Sequence, residues 1–137
     1  MARKPTVYVD TREQDPLDLS LRFTPVRKTL KEGDYLFDGM IAERKSFGDL
    51  FSTLTAAPNS ARFSLELDRL RKYKAKAIII EATAEQILKG HPHSRANGFL
   101  VVSHLMRICR EYDITPLLGG TKSASSSLLS AWFLSNT

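Results

Sequence analysis

Cysteine is nearly missing from this chain. Cys109 is the sole one in 137 residues, so no internal disulfide is available and a reducing compartment is expected. Long apolar runs are missing too: none approaches the ~20 residues that span a bilayer, so no membrane partner is expected. The first ten residues are basic and then strand-like, without the apolar core of a secretory signal. The expected setting is intracellular, in cytoplasm, nucleoid or nucleus according to the host. Internal repeats, low-complexity blocks and linkers are likewise absent. That excludes solenoids and disordered tails, and residues 1–137 read as one domain with room for a real core.

What is present is a globular balance, with 42% hydrophobic and 26% charged residues, and an excess of base. Twenty Lys and Arg against 15 Asp and Glu give a net charge of +5 and a pI near 9.5, which favours an anionic partner, nucleic acid being the commonest.

Thr6 to Asp10 reads as a first strand ending in the cluster Asp10, Arg12, Glu13. Gln14 to Leu21 has space for one helical turn after Pro16, and Phe23 to Leu30 leans towards strand. Asp34–Phe37 and Met40–Lys45 flank Asp38-Gly39, a strong two-residue hairpin signal. Ser46 is placed to cap a helix through Leu54, and Asn59 another, with Phe63, Leu67 and Leu70 as its buried stripe. Ala77 to Glu81 has the continuous apolar look of a strand buried on both faces. A short helix over Ala84–Lys89, a longer one after Asn97, a strand over Asp113–Leu118 and a last helix over Ser125–Leu134 follow. Early strands and then β-α-β alternation predict an α/β fold with a mixed sheet flanked by helices.

The hairpin gathers chemistry. With Asp38 and Gly39 as turn residues, Phe37 pairs with Met40, Leu36 with Ile41 and Tyr35 with Ala42, leaving Asp34 opposite Glu43. Directly opposed residues share a face, with Cβ atoms about 4.5–5.5 Å apart. Lys45 lies on that face too, while Arg44 points to the other side. Two adjacent carboxylates repel unless a cation sits between them, and hard oxygen ligands suit Mg²⁺ or Mn²⁺. A lysine beside them can orient a water, which completes a set sufficient for phosphodiester hydrolysis. Spacing alone equally admits a surface ion-pair cluster.

The longer pattern separates the two. Gly33-Asp34-Tyr35 followed by Glu43-Arg44-Lys45-Ser46-Phe47-Gly48-Asp49 resembles the GD…ERKxxxD signature of the XPF family of structure-specific endonucleases. Val9-Asp10-Thr11-Arg12-Glu13 is similar to that family's VDxRE first strand, and Asn59 to Leu70 to its basic helix. The resemblance covers nearly the whole chain and implies a restriction-endonuclease-like fold and a Mg²⁺- or Mn²⁺-dependent activity on branched DNA, in repair or recombination. Carried over, it makes Asp34 and Glu43 metal ligands and Lys45 the water-orienting partner. Asp10, Arg12 and Glu13 close the site from the first strand, Asp10 as a further ligand. Arg44 becomes a scissile-phosphate contact and Asp49 a supporting acid.

Departures from the family lie in the short Gln14–Leu21 segment, in Glu66 where Gln is frequent, and in the tandem helix-hairpin-helix module, which these 137 residues do not hold. The last bears on substrate choice more than on chemistry. Arg62, Arg69 and Lys72 are the expected DNA contacts. His91 and His93 lack a third ligand and read as surface residues, and Cys109 as core. A catalytically silent DNA-binding or scaffold subunit is the competing reading; such subunits lose the acids that Asp34, Glu43 and Asp49 retain. A homodimer is expected. Its candidate surfaces are the helix Phe99–Cys109 and the last helix with Leu128, Leu129, Trp132 and Phe133, which would serve equally as core.

Overall fold

The computed structural model describes residues 3–55 and 57–135, the side chains of 57–59 excepted. Six strands form one mixed sheet in the order β2-β1-β3-β4-β5-β6. They are β1 (Thr6–Asp10), β2 (Thr24–Lys28), β3 (Tyr35–Phe37), β4 (Met40–Ser46), β5 (Ala75–Glu81) and β6 (Thr115–Leu118). The helices are α1 (Phe47–Thr55), α2 (Ala57–Arg69), α3 (Ala84–Lys89), α4 (Gly98–Tyr112) and α5 (Lys122–Ser135). β1 is parallel to β2 and antiparallel to β3, and β3 is antiparallel to β4. β4, β5 and β6 run parallel, joined by helical crossovers as parallel neighbours require.

The hairpin follows from its turn. Asp38 and Gly39 both take positive φ, 49° and 78°, the two-residue turn whose twist matches that of the strands it joins. Its register pairs Tyr35 with Ala42, Leu36 with Ile41 and Phe37 with Met40, as the turn residues predict.

Alternation then sorts side chains between two cores. Ile41, Ile78 and Ile80 join α1, α2, α3 and α4 on one face; Val7, Val9, Tyr35, Phe37, Ala42 and Ile79 join Leu129 and Phe133 of α5 on the other. Phe23, Phe37 and Phe133 meet edge to face there, centroids 5.1–6.0 Å apart. Phe63 and Leu67 of α2, and Leu70 in the single 3-10 turn that follows it, are buried as their spacing predicts. Thr83 and Gln86 form a capping box on α3, and Asn97 caps α4. No helix among the described residues is long and apolar enough to cross a membrane.

Three expectations are corrected. Residues 14–18 form no helical turn directly after Pro16; Leu17 and Leu19 are both buried in extended chain packed on the α5 side, and a single turn closes only later, the amides of Arg22 and Phe23 donating to Leu19 O. α2 starts at Ala57, ahead of the expected cap Asn59, whose side chain lies outside the described residues. Leu129 and Phe133, offered as an intersubunit surface, are fully buried in this chain's own core, and Trp132 is half-buried against it. On the other helix offered for that surface, α4, Phe99 and Leu100 stay exposed, at 66% and 65%.

Candidate catalytic pocket

The site begins with a backbone constraint. Gly33 has φ +73°, and a Cβ there would lie 2.5 Å from Ile41 Cγ1, so only glycine lets the chain turn tightly against β4. The following residue leaves the hairpin ladder. The amide of Asp34 donates to Ala42 O at 2.9 Å, its carbonyl accepts from the amide of Asp10 at 2.9 Å, and its Oδ2 accepts from the amide of Arg44 at 2.8 Å. The regular ladder therefore stops at Tyr35–Ala42, one pair short of Asp34–Glu43. Asp34 thus joins the two neighbouring strands, its side chain bonding the β4 backbone and its carbonyl that of β1.

Asp34 and Glu43 line one cavity of about 340 Å³ with Asp10, Arg12, Glu13, Lys31, Glu32, Glu66 and Arg69. Burial pushes the Asp34 carboxyl up to about 6, against the pull of the Arg44 amide and with the charges of Glu13 and Asp10 adding to it. Burial and then the charge of Asp34 push Glu43 up to about 8, Lys45 pulling the other way. The pocket thus resists holding both groups ionised without a cation. Lys45 Nζ lies 4.0 Å from Glu43 Oε1 and 5.1 Å over the Phe63 ring. It also borders a smaller cavity of about 110 Å³ with Arg62 and Glu66.

Asp10 is 2% exposed, and both its oxygens are taken. Oδ1 accepts from the Leu30 amide at 2.9 Å and from Arg12 Nη2 at 3.2 Å; Oδ2 accepts from Arg12 Nε at 2.8 Å. Burial alone would raise its carboxyl, but Arg12 and the Leu30 amide outweigh burial and hold it below the usual range. Arg12 also donates to Leu30 O at 2.7 Å, which pins a 64% exposed side chain at the rim of the pocket.

Arg44 points away from the pocket. It donates to Glu81 at 2.5 Å, to Glu13 at 2.8 Å and to the carbonyl of Asp15 at 2.6 Å. Burial opposes its charge, and the carboxylates of Glu81 and Glu13 more than restore it. Its guanidinium therefore ties β4 to β5 and to the segment after β1, and is committed there rather than to the cavity. Asp49 is exposed in the first turn of α1, where its amide donates to Ser46 Oγ at 3.1 Å; it does not line the pocket. Among the expected DNA contacts, Arg69 stands on the pocket wall and Arg62 beside Lys45. Lys72 is paired with Glu32 at 2.8 Å.

Residues not singled out in the sequence complete the site. Tyr35 is fully buried; its hydroxyl donates to Glu13 at 2.6 Å and accepts from the Leu17 amide at 2.9 Å. Its position in the hairpin pattern already puts the ring inside, and a buried tyrosine needs a polar partner. Glu32 accepts from Lys72 and from the Tyr73 hydroxyl, the latter at 2.7 Å; burial, and then the Glu32 carboxylate, push Tyr73 up to about 12. Glu81 carried no signal beyond its place at the end of an apolar strand.

Among the described residues no three Asp, Glu, His or Cys side chains converge into a ready-made metal cluster. The donor chemistry of Asp34 and Glu43 still fits a hard divalent cation, which binds through one or two carboxylates with water and phosphate oxygens completing its shell.

Comparisons with known proteins bear on the family and the fold. The family model for the ERCC4 domain matches residues 9–130. XPF from Aeropyrum pernix superposes with a TM-score of 0.79 at 25% identity, over 96% of this chain and 65% of that chain. XPF from Aeropyrum pernix in complex with DNA gives 0.78 at 26% identity, with the same coverage of 96% and 65%. The chain thus spans 65% of the length of these relatives. No curated protein sequence matches. The six-stranded mixed sheet flanked by helices is the restriction-endonuclease-like architecture of these nucleases.

Proposed function

Because the chain belongs to the ERCC4 domain family, matched over residues 9–130, we propose that it is a divalent-metal-dependent endonuclease hydrolysing phosphodiesters in branched DNA. We read residues 1–137 as one nuclease domain working in DNA repair or recombination. The observation that carries this reading is the Asp34–Glu43 pair, two carboxyls raised to about 6 and about 8 in a shared pocket whose rim bears Arg12 and Arg69.

Asp34 and Glu43 would hold Mg²⁺ or Mn²⁺, which would supply charge neutralisation and lower the pKa of water there. Asp10 holds Arg12 at the rim, where its guanidinium meets phosphate. Lys45, beside Glu43 and shielded by Phe63, orients the attacking water. Glu13, fixed by Tyr35 and Arg44, sets the pocket wall. Arg69 and Arg62 grip the backbone of the duplex through phosphate contacts.

A relative of the same fold carries DNA in its solved complex, which supports DNA as the partner. The exposed apolar face of α4, with Phe99 and Leu100, supports a symmetric homodimer whose second subunit holds another arm of the substrate. The test is incubation with labelled flap, fork, four-way junction and linear duplex, each with Mg²⁺, Mn²⁺ or EDTA. Metal-dependent incision of the branched forms in preference to linear duplex is expected. Binding without incision under either metal would refute the enzyme reading.

A further inference from the structure

Beyond Asp10 and Arg12 at the pocket, the sheet continues to its edge strand, β2. β1 and β2 run parallel, with Tyr8 beside Val26 and Asp10 beside Lys28, and all five residues of β2 are exposed. Tyr8 packs against the core on the helix side of the sheet. Its neighbour Val26 shares that face, and so does Lys28 two residues along. The Lys28 ammonium lies over the Tyr8 ring, 4.9 Å from its centroid. Val26 is 40% exposed at the middle of the shelf. Just beyond the end of β2, Lys31 stands on the pocket wall with Arg12.

The charges here are unlike most others near the pocket. Among the described residues neither Lys28 nor Lys31 forms an ion pair. Lys72, by contrast, is spent on Glu32, and Arg44 on Glu13 and Glu81. Protection of the sheet edge does not explain the two lysines. Pro25, which has no amide to offer, and Arg27 do that work from the opposite face, Arg27 donating to the carbonyls of Thr11 and Glu13. An aromatic ring, an exposed valine and two unpaired ammonium groups, on the face of Glu43 and leading into its cavity, match a phosphate backbone in charge and its sugars in apolar surface.

We propose that this shelf, through Lys28 and Lys31, holds the DNA arm that leaves the pocket on the first-strand side, while Arg62 and Arg69 of α2 hold the arm on the other. The inference rests on the endonuclease reading and adds a second phosphate-binding surface to it. The chain then spans the scissile bond from both sides, which α2 alone does not allow.

The test is fluorescence anisotropy of labelled fork DNA in EDTA across a range of ionic strength. It compares the wild-type chain with Lys28→Ala/Lys31→Ala and with Lys4→Ala/Arg22→Ala, a basic pair at the opposite end of β1 and β2 from Lys28. The shelf variant should lower the log–log salt slope by roughly 1.8, two contacts at about 0.9 each. It should also weaken binding about tenfold or more at 0.1 M salt, while the circular dichroism spectrum stays as in the wild type. The Lys4 and Arg22 pair should leave the slope alone. A photo-crosslinker in place of Val26 should capture the fork and lose it when Lys28 and Lys31 are replaced. A shelf variant that keeps the wild-type slope overturns this inference and leaves the endonuclease reading standing. A wild-type chain with no affinity for any DNA overturns both.

Discussion

Glu43→Gln should stabilise the metal-free protein while abolishing cleavage. In the folded state burial and Asp34 hold the Glu43 carboxyl near 8, against 4.5 for a free glutamate. Between those values the unfolded chain has released a proton that the folded chain keeps, so stability falls as pH rises from about 4.5 and levels off above about 8. The side chain is 17% exposed, so solvent screens little of this. At about 1.4 kcal/mol per tenfold change, the cost is on the order of 1 kcal/mol at pH 5 and about 3 kcal/mol at pH 7. Glutamine removes that cost and adds part of the 1–3 kcal/mol of an imperfectly paired buried amide, roughly. In EDTA the variant should therefore melt about 5–10 °C above wild type at pH 7 and within a few degrees of it at pH 5, at about 3–5 °C per kcal/mol for a chain of this size. Divalent metal at ten times its Kd should return roughly 1.4 kcal/mol to the wild type and little to the variant. DNA affinity without metal should hold at pH 7, where Glu43 already keeps its proton, and rise only above about pH 8, where the wild type carries that charge towards the phosphate. The measurement is differential scanning fluorimetry at pH 5, 6, 7 and 8, with and without Mn²⁺. A variant less stable than wild type at pH 7 in EDTA, or a difference that does not grow with pH, would refute the repulsive-pair account.

Arg69→Ala should lower the salt slope for every DNA form by about 0.9, whereas Lys72→Ala should lower it less, because Lys72 is already paired with Glu32; titration across ionic strength checks both. Tyr35→Phe should destabilise by about 1–3 kcal/mol by urea denaturation, since Glu13 and the buried Leu17 amide each lose a partner. For the dimer, sedimentation of the wild type at micromolar concentration should give twice the 15.4 kDa chain mass. Phe99→Glu should give the monomer with its fold intact, and a wild type that sediments as monomer would remove the two-subunit model of branch recognition.

Where local chemistry decides a feature, the sequence was enough. Asp38-Gly39 dictates the turn, the turn dictates the register, and the register puts Ile41, Glu43 and Lys45 on the helix side with Arg44 opposite. The buried stripe Phe63, Leu67, Leu70 follows in the same way from helical spacing. Features settled by distant partners were not legible. Leu17 and Leu19 sit in a segment too short for a helix, and their extended path depends on the α5 core that receives them. Leu129 and Phe133 form an apolar stripe that reads equally as surface for a partner or as core. Only the packing of Phe23 and Phe37 against Phe133 decides for core.

Arg44 shows why contiguity in a motif does not mean one shared task. Glu43, Arg44 and Lys45 are consecutive, so a strand must send the middle one to the face opposite its neighbours. On the pocket face, Glu43 and Lys45 meet Asp34 and solvent. On the other face, Arg44 finds Glu81 from the neighbouring strand, and Glu13 and Asp15 from the segment that follows β1. Glu13 in turn accepts from Tyr35 and lines the pocket. The arginine thus reaches the site by holding its wall in place, through a carboxylate that belongs to both surroundings. Its amide does the same from the backbone by donating to Asp34. The pleat thus divides three adjacent charged residues between two faces: Glu43 and Lys45 stay on the cavity side, and Arg44, reversed, binds the strands and the segment after β1.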